Sequence, residues 1–321
     1  MSRFASWPAS VTSAGSRPAA AAVRPEARRE PIPEEVLPQI RQIEIKARIL
    51  ADDVLLATYR SVFRGSGLDF EEVREYEQGD DIRSIDWNVT ARMGAPYIKK
   101  YREDRELNIF LAIDVSASTW FGTAKLSKRE LAAEVAALLT MVALRNNDRV
   151  GLLLFADGVR EYIAPRQGRE HLLRVIRELL FAEPRRARTD IGAAARFLRN
   201  VTKKRSVVFL LSDFLGSGFE APLRGLALKH DVIALVLNDP REHELPAVGI
   251  VALEDAETGD LRYVDTAALR VREAYARAAR ERRAERRRLF GRTAIDSVDL
   301  YTDRAYVPPL MALFNARSRR H

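Results

Sequence analysis

The chain has 321 residues, 47% of them hydrophobic and 31% charged, enough apolar material for one large domain and a smaller module. It contains no cysteine, so disulfides, thiolate metal sites and cysteine nucleophiles are excluded, and its four histidines (His171, His230, His243 and His321) lack zinc-ligand spacing. A net charge of +8 admits acidic proteins, nucleic acid or an anionic membrane surface as partners without choosing among them.

Residues 1–32 are rich in Ala, Ser, Pro and Arg and hold too little apolar surface to offset chain entropy, which predicts a disordered tail. No continuous apolar segment there reads as a signal peptide. The most apolar helical stretch, Leu131 to Leu144, contains Glu134 and falls short of the ~20 residues of a membrane span. A cytoplasmic chain with no transmembrane segment is expected. Glu34 to Tyr59 carries Leu37, Ile40, Ile43, Ala47 and Leu50 at helical spacing, predicting one packing helix. Residues 33–105 then read as that helix followed by a small β-rich module. In the module, Phe70, Val73 and Tyr76, then Ile82, Ile85 and Trp87, suggest short strands with one apolar face. Its carboxylates (Asp69, Glu71, Asp80, Asp81 and Asp86) either build an active site or form ion pairs with Arg64, Arg74, Arg83 and Arg92.

Residues 106–321 alternate apolar strands with amphipathic helices. Strands are predicted at Leu107–Ile113, Val150–Phe155, Val207–Leu211, Val232–Leu237 and Ser297–Tyr301. Val159–Ile163 pairs back across an Asp157-Gly158 turn, and Ile250–Leu253 with Leu261–Val264 form a short edge pair. Helices are predicted at Ser127–Arg145, Glu170–Phe181, Ile191–Val201, Leu223–Lys229, Ala268–Phe290 and Pro309–Phe314. Fully apolar strands alternating with helices are the signature of a doubly wound α/β domain with a mostly parallel sheet.

The central strand ends in Asp114-Val115-Ser116-Ala117-Ser118. A carboxylate and two hydroxyls just past the carboxyl end of a buried strand lie where open α/β sheets gather ligands, and oxygen donors of this kind suit Mg²⁺ (or Mn²⁺). Taken alone, the string also fits a loop in which Ser116 or Ser118 caps the next helix. In context it has company. Asp213 ends a second apolar strand at the same edge, and Thr189 opens a helix there, so Asp114, Ser116, Ser118, Thr189 and Asp213 are the candidate metal ligands. With only two carboxylates, such a site leaves the ion residual positive charge and an open position for an acidic side chain.

D-V-S-A-S, the threonine of R-T-D and the aspartate of L-L-S-D resemble the metal-ion-dependent adhesion site (MIDAS) of von Willebrand factor A-type domains. The resemblance implies a Rossmann-like, von Willebrand factor A-like fold, a bound Mg²⁺ and capture of a partner's acidic residue. Phe214 stands where that family often has glycine, and Thr119 where methionine is frequent. Upstream, S-G-x-D-F, R-x-Y, G-D-D-x-R-x-I-D-W and A-R, between Ser66 and Arg92, resemble the signature of domain-of-unknown-function family 58. Kinship with that family implies a bacterial protein that is partner to a MoxR-class AAA+ ATPase in maturation or remodelling of protein complexes.

The leading expectation is therefore a metal-dependent protein-interaction adaptor rather than an enzyme. Two alternatives stand beside it. One is a metal-assisted hydrolase using the Asp69–Asp86 carboxylates as base. The other is nucleic-acid binding by the arginine-rich Arg270–Arg288 helix, where Glu273, Glu281 and Glu285 dilute the positive field and argue against that role.

Overall fold

The computed structural model describes residues 37–63, 67–104, 106–182, 188–256 and 258–320. The predicted 1–32 tail lies outside them, as do the side chains of Arg64, Asp69 and Glu71.

The expected single N-terminal helix is two: α1 (Leu37–Leu50) and α2 (Asp53–Val62). The break comes at Asp52, whose carboxylate accepts from the Leu55 amide at 2.8 Å and caps α2. An aspartate inside an apolar stripe was the local signal for a restart. Strands β1 (Gly67–Glu75) and β2 (Tyr97–Asp104) pair antiparallel. The stretch between them is helical rather than extended. A 3₁₀ turn spans Ile82–Ser84 and α3 spans Trp87–Met93, so the alternation of Ile82, Ile85 and Trp87 did not signal strands. Asp81 and Asp86 cap these two short helices, and side-chain capping overrode a weak period-two pattern.

The main sheet follows with β3 (Asn108–Asp114), α4 (Lys128–Arg145), β4 (Arg149–Phe155), β5 (Val159–Arg166), α5 (Arg169–Phe181), α6 (Ile191–Val201) and β6 (Val207–Ser212). Next come α7 (Glu220–Ala227), β7 (Asp231–Asn238), β8 (Ile250–Glu254), β9 (Leu261–Asp265), α8 (Leu269–Thr293), β10 (Asp296–Tyr301) and α9 (Val307–Ser318). Six strands order as β10-β7-β6-β3-β4-β5, all parallel except β5, which runs antiparallel to β4. The β8–β9 pair is not an edge of this sheet. It forms its own two-stranded ribbon, with Ile250, Leu261 and Tyr263 exposed.

Strand periodicity divides the core. In β3, Ile109, Leu111 and Ile113 face α2, α4, α5 and α9, while Phe110 and Ala112 face α6, α7 and α8. Truncating a side chain such as Leu111, which is fully buried, would cost about 2–5 kcal/mol. Gly151 marks one tight spot in β4: a Cβ there would meet Phe110 Cε1 at 2.8 Å. The N-terminal helices join the same core. Ile40 and Ala47 pack with Ala137, Leu172 and Ile176, and the Tyr59 ring lies 6.3 Å from that of Phe314. Beneath them Asp148, fully buried, accepts from the Tyr59 hydroxyl at 2.9 Å and the Leu107 amide at 2.8 Å.

Candidate metal centre

Because β3 and β6 are adjacent and parallel, Asp114 at the end of one and Asp213 just past the other emerge side by side at the carboxyl edge of the sheet. Both carboxylates are almost fully buried. Asp114 Oδ1 accepts from the Ser116 amide at 2.9 Å, and Oδ2 accepts from the Ser212 hydroxyl at 2.7 Å. Ser116 precedes a 3₁₀ turn, Ala117–Trp120, but its hydroxyl makes no capping bond to it. Instead the Ser116 and Ser118 hydroxyls lie 3.1 Å apart, and Ser118 donates to Asp213 Oδ2 at 2.8 Å. The capping alternative for these serines fails on that geometry.

The structure thus joins Asp114, Ser116, Ser118 and Asp213 in one cluster. Thr189 sits in the adjoining loop. Its carbonyl would lie 3.4 Å from a Cβ on Gly216, just after Asp213, and the next amide, Asp190 N–H, donates to Ala156 O at 2.6 Å at the end of β4. Asp190, not Thr189, caps α6, accepting from the Ala193 amide at 2.7 Å.

The departures from the adhesion-site pattern have physical accounts. Phe214 adopts φ 54°, the left-handed region in which glycine is at ease. Burial of its ring against Phe219 and Phe290, at 5.9 and 5.1 Å, compensates for the strain. Thr119 is buried and donates to the Ser116 carbonyl at 2.7 Å, pinning the first loop.

Burial pushes the Asp114 carboxyl up to about 6, and the neighbouring Asp213 charge adds to this against the Ser212 and Ser116 hydrogen bonds. Burial pushes Asp213 up too, but the Lys128 ammonium, the Ser118 hydroxyl and the Leu215 amide together hold it below the usual carboxylate range. Lys128 is the residue that sequence reasoning missed. Its side chain is fully buried, with Nζ 2.8 Å from Asp213 Oδ2 and 2.6 Å from Glu242 Oε1. Burial alone would lower its pKa, yet the two carboxylates raise it above the ordinary lysine value. One signal was available: Lys128 is the first residue of α4, where a cation opposes the helix dipole and needs another reason to be there. Arg286 was also missed as a brace. It is buried, donates to the Asp213 carbonyl at 3.1 Å and pairs with Asp299 at 3.1 Å.

The donor set fits a small hard cation. Mg²⁺ holds oxygens at about 2.0–2.1 Å in an octahedron, which sets neighbouring oxygens about 3 Å apart. The Ser116–Ser118 and Ser118–Asp213 separations, 3.1 and 2.8 Å, have that spacing. Among the described residues no group of three or more His, Cys, Asp or Glu side chains is placed to hold a metal, so hydroxyl donors would have to complete any such site.

Three of the alternative carboxylates have local partners. Asp80 accepts from the Glu77 amide at 2.9 Å and pairs with Arg74 at 2.7 Å; Asp81 accepts from the Arg83 amide and Asp86 from the Asn88 amide, at 2.9 and 3.0 Å. On α8, Arg283, Arg286 and Arg287 all engage Asp299, and Arg292 pairs with Glu220, so part of the basic face is internally neutralised. No helix among the described residues is long and apolar enough to cross a membrane.

The chain has relatives among known proteins. The chain is similar to the uncharacterised protein Rv1480 of Mycobacterium tuberculosis, 36% identical over 286 residues, covering 87% of this chain and 89% of the relative. It is also similar to the uncharacterised protein YeaD of Bacillus subtilis, 29% identical over 128 residues, covering 37% of this chain and 30% of that one. Among solved structures, the conserved hypothetical protein BatB of Bacteroides thetaiotaomicron matches with TM-score 0.43 at 15% identity, covering 66% of this chain and 99% of that one. The SpRpn10 VWA domain matches with TM-score 0.34 at 11% identity, covering 66% and 95%. A family model described as protein of unknown function DUF58 matches residues 72–285, and with that span and the mycobacterial likeness the chain, an α/β fold on a mostly parallel six-stranded sheet, belongs to the DUF58 family.

Proposed function

We propose that this protein is a metal-dependent protein-interaction adaptor. A Mg²⁺ or Mn²⁺ ion would be held by Ser116, Ser118 and Asp213, with Asp114 and Thr189 contributing directly or through water. When bound, the ion supplies a positive charge with an open position for a partner's carboxylate. The chain's own residues do the rest. Asp114 fixes the first loop through the Ser116 amide, Ser212 orients Asp114, and Phe214 and Thr119 lock the two loops that carry the donors. The observation that carries this reading is the single hydrogen-bonded run of oxygens from Ser116 through Ser118 to Asp213, contributed by two adjacent strand ends. The partner expected from kinship is a MoxR-class AAA+ ATPase, acting with this protein in maturation or remodelling of complexes.

The test is a thermal-unfolding titration with Mg²⁺ and Mn²⁺ on the wild type and Asp114→Ala. At 100 times its dissociation constant the ion adds about 2.7 kcal/mol of stability, and the variant should lose that rise while still melting cooperatively. A pull-down with a MoxR-class AAA+ ATPase should then be abolished by EDTA. Capture that is indifferent to EDTA would sink the metal-bridge mechanism.

A further inference from the structure

Lys128 lies where nothing in a metal-binding role requires a cation. Its Nζ is 2.8 Å from Asp213 Oδ2, the same oxygen that accepts from Ser118. Its other carboxylate, Glu242, is itself fixed. Glu242 Oε2 accepts from the Asp239 amide at 2.9 Å, while Oε1 takes the ammonium at 2.6 Å. Asp239 in turn is fully buried and accepts from the Thr123 amide at 2.8 Å, the Thr123 hydroxyl at 2.6 Å and the Thr302 hydroxyl at 2.9 Å. The ammonium is therefore anchored from the β7 end of the sheet as well as by Asp213. The helix does not favour it there, since a positive charge in the first turn faces the positive end of the α4 dipole.

Resting on the metal reading above, we propose that Lys128 is the residue that sets divalent-ion affinity at this site. It is a tethered cation that draws charge from Asp213 and repels the ion, and Glu242 sets the strength of that opposition. The sign follows from charge alone. A site with Asp213 and Glu242 and no ammonium holds one more negative charge than the native one; a site with the ammonium and no Glu242 charge holds one fewer. Two charges within a few ångströms interact far more strongly than tenfold in a binding constant, even at the dielectric of a protein surface.

The experiment is calorimetric titration of the full chain with MnCl₂, for wild type, Lys128→Met, Glu242→Gln and Asp114→Ala, with melting in EDTA to show that each is folded. Lys128→Met is expected to bind Mn²⁺ at least about tenfold more tightly, and Glu242→Gln at least about threefold more weakly. Opposite signs are the discriminating readout, because two residues that merely supported the fold would both weaken binding. Adding Ser118→Ala to Lys128→Met should remove the gain. If it does not, the ion is sitting between Asp213 and Glu242 and the proposal is overturned. Lys128→Met that is folded and binds no tighter than wild type also overturns it. Should Lys128→Met fail to fold, Glu242→Gln decides: unchanged or tighter binding refutes the assignment. If neither wild type nor any variant binds Mn²⁺, the metal reading itself falls, and this inference with it. Wild-type binding without the opposed shifts overturns the Lys128 assignment alone.

Discussion

Two regions of this molecule are rich in aspartate, and they use it differently. Around residues 80–86, Asp81 and Asp86 each accept a backbone amide two residues on, and Asp80 accepts one three residues back; Asp81 is exposed. At the carboxyl edge of the sheet, Asp114 and Asp213 come from strands far apart in sequence, are nearly fully buried, and carry opposed pKa shifts. A carboxylate that caps its own turn is satisfied locally and has little left to give a ligand. A pair of carboxylates forced together out of water is held at a cost, and a cation between or beside them relieves it. The comparison teaches that carboxylate density along a sequence says less about a site than which carboxylates the topology brings face to face.

Several substitutions would sharpen or break that contrast. Asp213→Ala should have the largest effect. It strips the buried Lys128 of one counter-ion and removes the Ser118 acceptor, at a cost of about 3–5 kcal/mol in urea denaturation; a loss below about 1 kcal/mol would mean the pair is not held as described. Asp148→Ala, at the opposite edge, removes an acceptor of the Tyr59, Leu107 and Asn146 donors. It should cost about 2–3 kcal/mol yet leave the Mn²⁺ isotherm unchanged, separating a buried structural carboxylate from the candidate ligands. Asp86→Ala should cost about 1 kcal/mol, the worth of an N-cap, again with no effect on metal; an altered isotherm would reopen the role of the 63–105 segment.

A last contrast concerns pH. His230 is buried, and neither ring nitrogen finds a hydrogen-bond partner among the described residues. Burial, with Lys229 and Arg205 adding to it, pushes its pKa down to about 4. The unfolded chain takes up that proton near pH 6.5. Since the unfolded state binds more protons between those values, the contribution to stability is complete above about pH 6.5 and is lost as pH falls toward 4. His230→Phe should flatten that part of the stability profile, measured by denaturant midpoints across the range. Its place at the amino edge of the sheet lets the profile be read without invoking the aspartates.

Much of this was legible beforehand, because it depends on neighbours a few residues apart. The apolar strands, the α4 start at Ser127 with its Glu130 capping box, and α6 at Ile191–Val201 all follow from local period and caps. The errors were local too. Asp52 restarts a helix inside an unbroken apolar stripe, and Asp81 and Asp86 turn an alternating pattern helical. In each case a capping side chain outweighed the hydrophobic period.

By itself the sequence determined the strand–helix alternation, hence a doubly wound sheet, and the positions of Asp114, Ser116, Ser118, Thr189 and Asp213 at its strand and helix ends. Only the tertiary structure decided that Ser118 bonds Asp213, that Ser212 holds Asp114, and that Lys128 enters the cluster between partners 85 and 114 residues away. The reason is physical. Caps and periodicity are short-range and can be read along the chain, whereas a buried ammonium is placed by the summed fields of carboxylates that become neighbours only when β3, β6 and β7 lie side by side.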